Sequence, residues 1–99
     1  MADKKVTVTA VIKAKEGKED IVKQELMSLV GSTQKEAGCI NYDLHQAADN
    51  QRVFLFYENW KSREDLDKHL EMPYLKAWRE KAKDLLVEPP EVTIWKMVS

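Results

Sequence analysis

The chain has 99 residues, of which 43% are hydrophobic and 33% are charged, and its formal net charge is -1. That length predicts one globular domain over residues 1–99 with a single core. The near-neutral charge removes the electrostatic reason to expect nucleic-acid binding, and a single cysteine, Cys39, excludes an internal disulfide. Because the sequence contains neither a secretory signal nor a long apolar run, we expect a cytoplasmic protein that does not enter a membrane.

The first half of the chain predicts a strand, a helix and a hairpin. Apolar residues at every second position predict a strand over 5–13. Apolar residues at helical spacing then predict a helix over 18–36, which Gly38 is expected to end in a left-handed conformation. Period-two patterns at 39–46 and 52–60, separated by turn-forming residues, predict an antiparallel hairpin.

The second half predicts two short helices and a last strand. Ser62 followed by Asp65 resembles a capping box and starts a helix over 62–70. Pro73 suits the first position of the next helix, and a pair of prolines stops that helix. The last strand is predicted from the alternating residues Val92, Ile94 and Val98. The order βαββαβ, with its second helix broken, matches the ferredoxin-like split βαβ fold, an α+β sandwich with its helices on one face of an antiparallel sheet.

The other face of this sheet is predicted to be apolar. The run 53–57 has no polar alternation, so we expect both of its faces to be covered. Val11, Trp95 and Met97 add to the apolar surface on the side away from the helices. Two sheets packed face to face would bury it, which predicts an isologous homodimer. The alternative is that some of these side chains cover a sheet edge.

Four segments, taken in order, resemble the antibiotic biosynthesis monooxygenase family across nearly the whole chain. They lie at 14–20, 36–42, 56–60 and 69–74, the last reading His69-Leu-Glu-Met-Pro73-Tyr74. The resemblance implies a dimeric α/β barrel of ferredoxin-like subunits. The family includes quinol and polyketide monooxygenases that use no metal or flavin, haem-degrading monooxygenases and an isomerase, so the fold alone does not fix the reaction.

The chain also departs from the family's patterns. Many members carry a second histidine directly after the proline, where this chain has Tyr74. The haem-degrading branch uses an asparagine of the first strand, where this chain has Thr7 and Thr9, and a histidine of the last helix, which is missing here. The resemblance therefore implies neither a two-histidine mechanism nor haem chemistry.

The candidate site residues fall around the third strand and the helices that follow it. His69 is the candidate general base, because imidazole titrates near neutral pH. Trp60, Phe56 and Trp78 are candidate apolar walls for an aromatic substrate, and Tyr74 is a candidate hydrogen-bond donor to a substrate oxygen. We expect Trp60, His69 and Tyr74 to converge on one cavity between the helices and the sheet.

Each of these residues also has a purely structural interpretation. Trp60 can be a core anchor that joins sheet and helix, and His69 can be a packed histidine bonded to a backbone carbonyl. Tyr74 and Trp78 lie four positions apart on one helical face, as core residues do. Cys39 has no adjacent base in sequence and is predicted to be a small buried residue rather than a nucleophile.

The sequence leaves two classes of function open. The first is a cofactor-independent monooxygenase that acts on a quinol-like or polyphenolic small molecule with dioxygen. The alternative is a non-oxidative isomerase or a small-ligand binding protein of the same fold. The sequence has no zinc signature and no glycine-rich phosphate loop, so we expect no metal and no bound cofactor.

Overall fold

Strand β1 (Val6–Lys13) organises the sheet, because it pairs antiparallel with two other strands. The computed structural model describes residues 5–99. Val8, Ala10 and Ile12 are buried on one face of β1, whereas Val11 on the other face is only half-buried. The alternation predicted from sequence is confirmed, and it separates a core face from an outer face.

Helix α1 (Glu19–Thr33) is shorter than predicted. The predicted left-handed ending at Gly38 is wrong, since within the described residues Gly17, with φ of 85°, is the position with positive φ. Gly38 is required for another reason: a Cβ atom at this position would overlap the side chain of Asp65. The glycine thus lets the loop after α1 approach the start of the next helix closely.

Strands β2 (Cys39–Ala47) and β3 (Asn50–Trp60) form the predicted antiparallel hairpin. In this register Tyr42 lies opposite Glu58, and Leu44 lies opposite Phe56. Side chains directly opposite each other share one face of a sheet, so these four residues lie on the core side. Trp60 at the end of β3 is fully buried.

The elements after β3 also follow the prediction. Helix α2 (Arg63–Leu70) begins at Ser62, whose Oγ accepts a hydrogen bond from the backbone N–H of Asp65 at 3.1 Å. Helix α3 (Pro73–Leu85) begins at the predicted proline. Strand β4 (Glu91–Trp95) is shorter than predicted, and Val98 lies beyond its end.

The four strands lie in the order β2-β3-β1-β4, with antiparallel pairing throughout. The helices pack on one face, where residues of α1 and α3 such as Leu26 and Trp78 join the core. This arrangement confirms the ferredoxin-like α+β fold. Within residues 5–99 no helix combines the length and the apolar composition needed to cross a membrane.

The outer sheet face, defined by Val11, Leu55, Tyr57 and Trp95, is not covered by the chain itself. Tyr57 is 42% exposed and Trp95 is 54% exposed, although the Nε1 of Trp95 donates a hydrogen bond to Thr9. The sequence predicts that both faces of the segment 53–57 are covered. Within one chain, only the face on the core side is covered. The homodimer stays a prediction.

Candidate functional site

A cavity of about 130 Å³ lies between the helices and the core face of the sheet. Val8 and Ala10 of β1 and the aromatic residues Phe56 and Trp78 give it mostly apolar walls. An engineered apolar cavity of about 150 Å³ is large enough to bind benzene. The cavity is therefore of a size that suits a small, single-ring molecule.

Two buried titratable side chains, His69 and Glu58, also line this cavity. His69 is 2% exposed and Glu58 is 5% exposed. Two wider depressions elsewhere on the surface have neither residue in their walls. Buried titratable groups in a mostly apolar cavity mark this place as the candidate site.

His69 is held by Glu36, which lies in the loop between α1 and β2. The Nδ1 atom of His69 lies 3.0 Å from Oε2 of Glu36, and the two side chains are 3% and 8% exposed. A carboxylate only accepts hydrogen bonds, so Nδ1 is the donor and the lone pair of the imidazole is on Nε2. Burial lowers the pKa of His69, while the hydrogen bond to Glu36 opposes this shift. The net lowering favours a neutral imidazole, which is the form that can accept a proton.

Tyr74 donates a hydrogen bond to the same carboxylate oxygen, Oε2 of Glu36. Burial and the hydrogen bond to Glu36 raise the pKa of Tyr74 to about 12. The phenol therefore keeps its proton at neutral pH and remains a donor. Glu36 in this way joins α2 to α3 through the side chains of His69 and Tyr74.

Trp60 packs against the His69 ring and also reaches Glu58. The centroids of the two rings lie 4.6 Å apart with an interplanar angle of 33°. The indole Nε1 donates a hydrogen bond to Oε1 of Glu58 at 2.9 Å. Burial raises the pKa of Glu58 to about 7, although the hydrogen bond from Trp60 opposes the shift. Both protonation states of this carboxyl are therefore accessible near neutral pH.

The structure brings together the residues predicted from sequence, but not all at the cavity wall. Phe56, His69 and Trp78 line the cavity. Trp60 and Tyr74 are not among the residues of its wall; they contact His69 and Glu36 from behind. The geometric expectation that Trp60, His69 and Tyr74 converge on one cavity is thus met for His69 alone.

Sequence reasoning missed two members of the site, Glu36 and Glu58. The sequence alone could have revealed Glu58. It lies at every second position with Phe54 and Phe56 on β3, so its side chain must point to the core side with theirs. Glu36 has no such signal, because it lies in a loop beyond the end of α1. Its position beside His69 depends on how the loop folds back over α2.

The remaining chemistry-bearing groups do not add to this site. Burial, and after it the nearby Glu36, raise the pKa of Cys39 to about 11, which keeps the thiol protonated and a poor nucleophile. Among residues 5–99 no group of three or more His, Cys, Asp or Glu side chains is arranged to hold a metal ion. The expectation that the protein uses no cofactor stays a prediction.

Comparison with known proteins gives a consistent family. The sequence profile of the family described as "Antibiotic biosynthesis monooxygenase" matches residues 5–81. The protein sll1783 of Synechocystis is 33% identical over 96 residues, which is 97% of this chain and 65% of that protein's length. The protein named "Putative monooxygenase Rv0793", from Mycobacterium tuberculosis, is 36% identical over 69 residues, or 70% of this chain and 67% of that protein.

Solved structures agree with the sequence match. The structure of Rv0793 superposes with a TM-score of 0.89 at 27% identity and covers 96% of each chain. The crystal structure of PA3566 from Pseudomonas aeruginosa superposes with a TM-score of 0.91 at 26% identity, over 100% of this chain and 98% of that one.

Proposed function

This chain belongs to the antibiotic biosynthesis monooxygenase family, and we propose that it is a cofactor-independent monooxygenase of quinol-like or polyphenolic small molecules. The observation that carries this proposal is the pair of Glu36 and His69 at the wall of an apolar cavity. A base, an apolar enclosure and an electron-rich substrate are what oxygenation without a cofactor requires.

The proposed reaction begins with removal of a proton. Ground-state dioxygen is a triplet, so the substrate itself must supply an electron, and a phenolate does this far more readily than a phenol. Nε2 of His69 takes the hydroxyl proton, because Nδ1 is already engaged with Glu36. Phe56 and Trp78 hold the ring in the cavity and keep water from the reactive intermediate.

Trp60 and Tyr74 act behind the cavity wall in this proposal. Trp60 restricts the orientation of the His69 ring by packing against it. Tyr74 holds the Glu36 carboxylate, which in turn holds Nδ1 of His69. These two residues therefore position the base rather than touch the substrate, which differs from the direct contact expected for them from sequence.

The assembly is proposed to be a homodimer joined through the outer sheet face. The partly exposed Leu55, Tyr57 and Trp95 supply the apolar surface for it. The cytoplasmic location and the single domain over residues 1–99 stay predictions from the sequence.

A second candidate function is proton transfer without dioxygen, as in an isomerase. The observation in its favour is the presence of two titratable groups, His69 and Glu58, at one cavity. With the pKa of His69 lowered and that of Glu58 raised to about 7, one group can take a proton while the other gives one. Oxygen consumption separates the two functions, because an isomerase consumes none.

The test is oxygen uptake by the purified protein with a panel of single-ring hydroquinones. His69→Ala is expected to reduce turnover by roughly two to four orders of magnitude without loss of fold. His45→Ala is the matched control, because His45 is the other histidine, is exposed on β2 and lies outside the cavity wall. Since His45 lies opposite Leu55 on the outer sheet face, light scattering of this variant checks that its assembly is unchanged. If His69 is only a packed residue, the substitution lowers stability by about 1 to 3 kcal/mol and leaves activity per folded molecule unchanged. That second result would refute the catalytic assignment.

A further inference from the structure

Glu58 is a buried carboxyl that the first proton transfer does not use. It lies on the sheet side of the cavity, on β3, and is 5% exposed. The indole N–H of Trp60 donates a hydrogen bond to Oε1 of Glu58, while Oε2 accepts no hydrogen bond from the described residues. A glutamine would accept the same hydrogen bond from Trp60 without the cost of burying an ionisable group. A carboxyl is therefore a costly choice for a purely structural role at this position, and its location at the cavity wall points to a chemical use.

The groups around Glu58 leave it able to change its protonation state near neutral pH. Burial is the main cause that raises its pKa to about 7, and the negative charge of Glu36 adds to the shift. The other titratable or charged groups around this cavity are Tyr42 on β2, His69 on α2 and Arg79 on α3. Tyr42 stays protonated because burial raises its pKa, and His69 is predominantly neutral.

We propose that Glu58 is a second catalytic residue, whose carboxylate converts a substrate hydroperoxide into a carbonyl compound and water. The inference rests on the proposed function, since addition of dioxygen to a substrate carbanion yields a hydroperoxide once the peroxide anion takes up a proton. It adds the step by which the second oxygen atom leaves. The substrate class is thereby narrowed to ring compounds whose oxygenated carbon still carries a hydrogen.

The step balances without any further oxidant or reductant. The carboxylate of Glu58 takes the proton from the carbon that bears the hydroperoxide. The C–H electron pair becomes the second bond of the carbonyl group, and the O–O bond breaks with its electron pair on the departing hydroxide. That hydroxide takes the proton from Glu58 and leaves as water. The carbon is oxidised, the peroxide oxygen is reduced, and the carboxylate is regenerated.

The experiment supplies the hydroperoxide directly and omits dioxygen. Benzyl hydroperoxide has a single ring, which suits a cavity of about 130 Å³, and its elimination product is benzaldehyde, which is followed by absorbance under nitrogen. The protein is expected to accelerate this conversion, and Glu58→Gln to reduce the acceleration by about 10²-fold or more. Glu64→Gln is the matched control, because Glu64 is an exposed glutamate of α2. A melting curve of Glu58→Gln shows whether the variant is folded.

The outcomes decide the inference in each case. A rate for Glu58→Gln within threefold of the unaltered protein, or no acceleration by the unaltered protein, overturns it. The pH profile of the unaltered protein is the second measurement and needs no variant. Because the carboxylate is the active form, the rate should rise with pH through about 7. A rate that does not change with pH, or that rises only at a pH well below the ordinary histidine pKa, contradicts the assignment to Glu58 and points to His69.

Oxygen uptake with hydroquinones, measured separately, keeps the two proposals apart. A protein that consumes no oxygen but eliminates water from benzyl hydroperoxide through Glu58 refutes the proposed oxygenation and not the chemistry assigned to Glu58. A protein that consumes oxygen equally well with and without Glu58, and forms the same carbonyl product, refutes the inference and not the oxygenation.

Discussion

Glu36 and His69, which are 33 positions apart in the sequence, meet at 3.0 Å in the interior of the protein. The contact fixes the tautomer of the imidazole and leaves Nε2 as its proton acceptor. It also ties the loop after α1 to helix α2, and Tyr74 extends the tie to α3. One carboxylate thus positions the candidate base and connects three segments of the fold.

The first prediction is that the charge of Glu36 sets the protonation of His69. The Glu36 carboxylate raises the pKa of His69 against the effect of burial, so Glu36→Gln should lower that pKa further. Tyr74→Phe should move it upward, because the carboxylate then has one donor fewer and interacts more strongly with the imidazole. A titration of the His69 ring nitrogens by NMR measures both. Shifts of the same sign in the two variants would contradict this account.

Sequence patterns predicted the fold because its elements are local. Each signal depends on neighbours within a few positions. The signals are the alternation of buried and exposed residues in β1, the capping residues Ser62 and Asp65, and Pro73 at the start of α3. These signals are physical preferences of short segments, and the βαββαβ order leaves few ways to assemble them. The topology could therefore be predicted from the sequence.

The site was less predictable because it depends on contacts between distant segments. His69 could be singled out as a titratable residue of the helix that follows β3, but Glu36 is brought to it by a loop whose path has no sequence period. Gly38 illustrates the same limit. As a glycine after a predicted helix, it suggested a helix cap. The structure shows instead that the absence of a side chain at Gly38 leaves room for the side chain of Asp65, 27 positions later in the chain.

The second prediction concerns this close approach. Gly38→Ala should lower the free energy of unfolding by about 1 to 3 kcal/mol, because the added Cβ overlaps the Asp65 side chain, which accepts a hydrogen bond from the capping residue Ser62. Gly31→Ala is the matched control, since open space surrounds that position within α1, and the substitution should raise stability by up to about 1 kcal/mol. Chemical denaturation of both variants measures the difference. Equal effects of the two substitutions would show that the Asp65 contact is unimportant.

The third prediction is a pH dependence of stability that belongs to Glu58. Its pKa is about 7 in the folded protein and has an ordinary value of 4.5, so the folded state holds the proton more tightly. Its contribution is therefore fully present below about pH 4.5 and is lost as pH rises through 7. Relative to Glu58→Gln, the unaltered protein should lose roughly 1 to 3 kcal/mol of stability across that window. Denaturation of both proteins at several pH values tests this, and parallel pH curves would refute it.

The last prediction is that the outer sheet face joins two copies of the chain. Tyr57 lies on β3, which is an inner strand of the sheet, and is 42% exposed in the single chain. An interface across a whole sheet face would bury roughly 1,200 to 2,000 Å² or more, enough to persist at micromolar concentration.

Tyr57→Lys places a charge in this interface and should dissociate the dimer, because burying an unpaired ammonium costs several kcal/mol. Met27→Lys is the control, since Met27 is 52% exposed on helix α1 and is not part of the outer sheet face. Light scattering should give about twice the 11.5 kDa of one chain for the unaltered protein and for Met27→Lys, and a single-chain mass for Tyr57→Lys. A mass of one chain for the unaltered protein at micromolar concentration would refute the dimer.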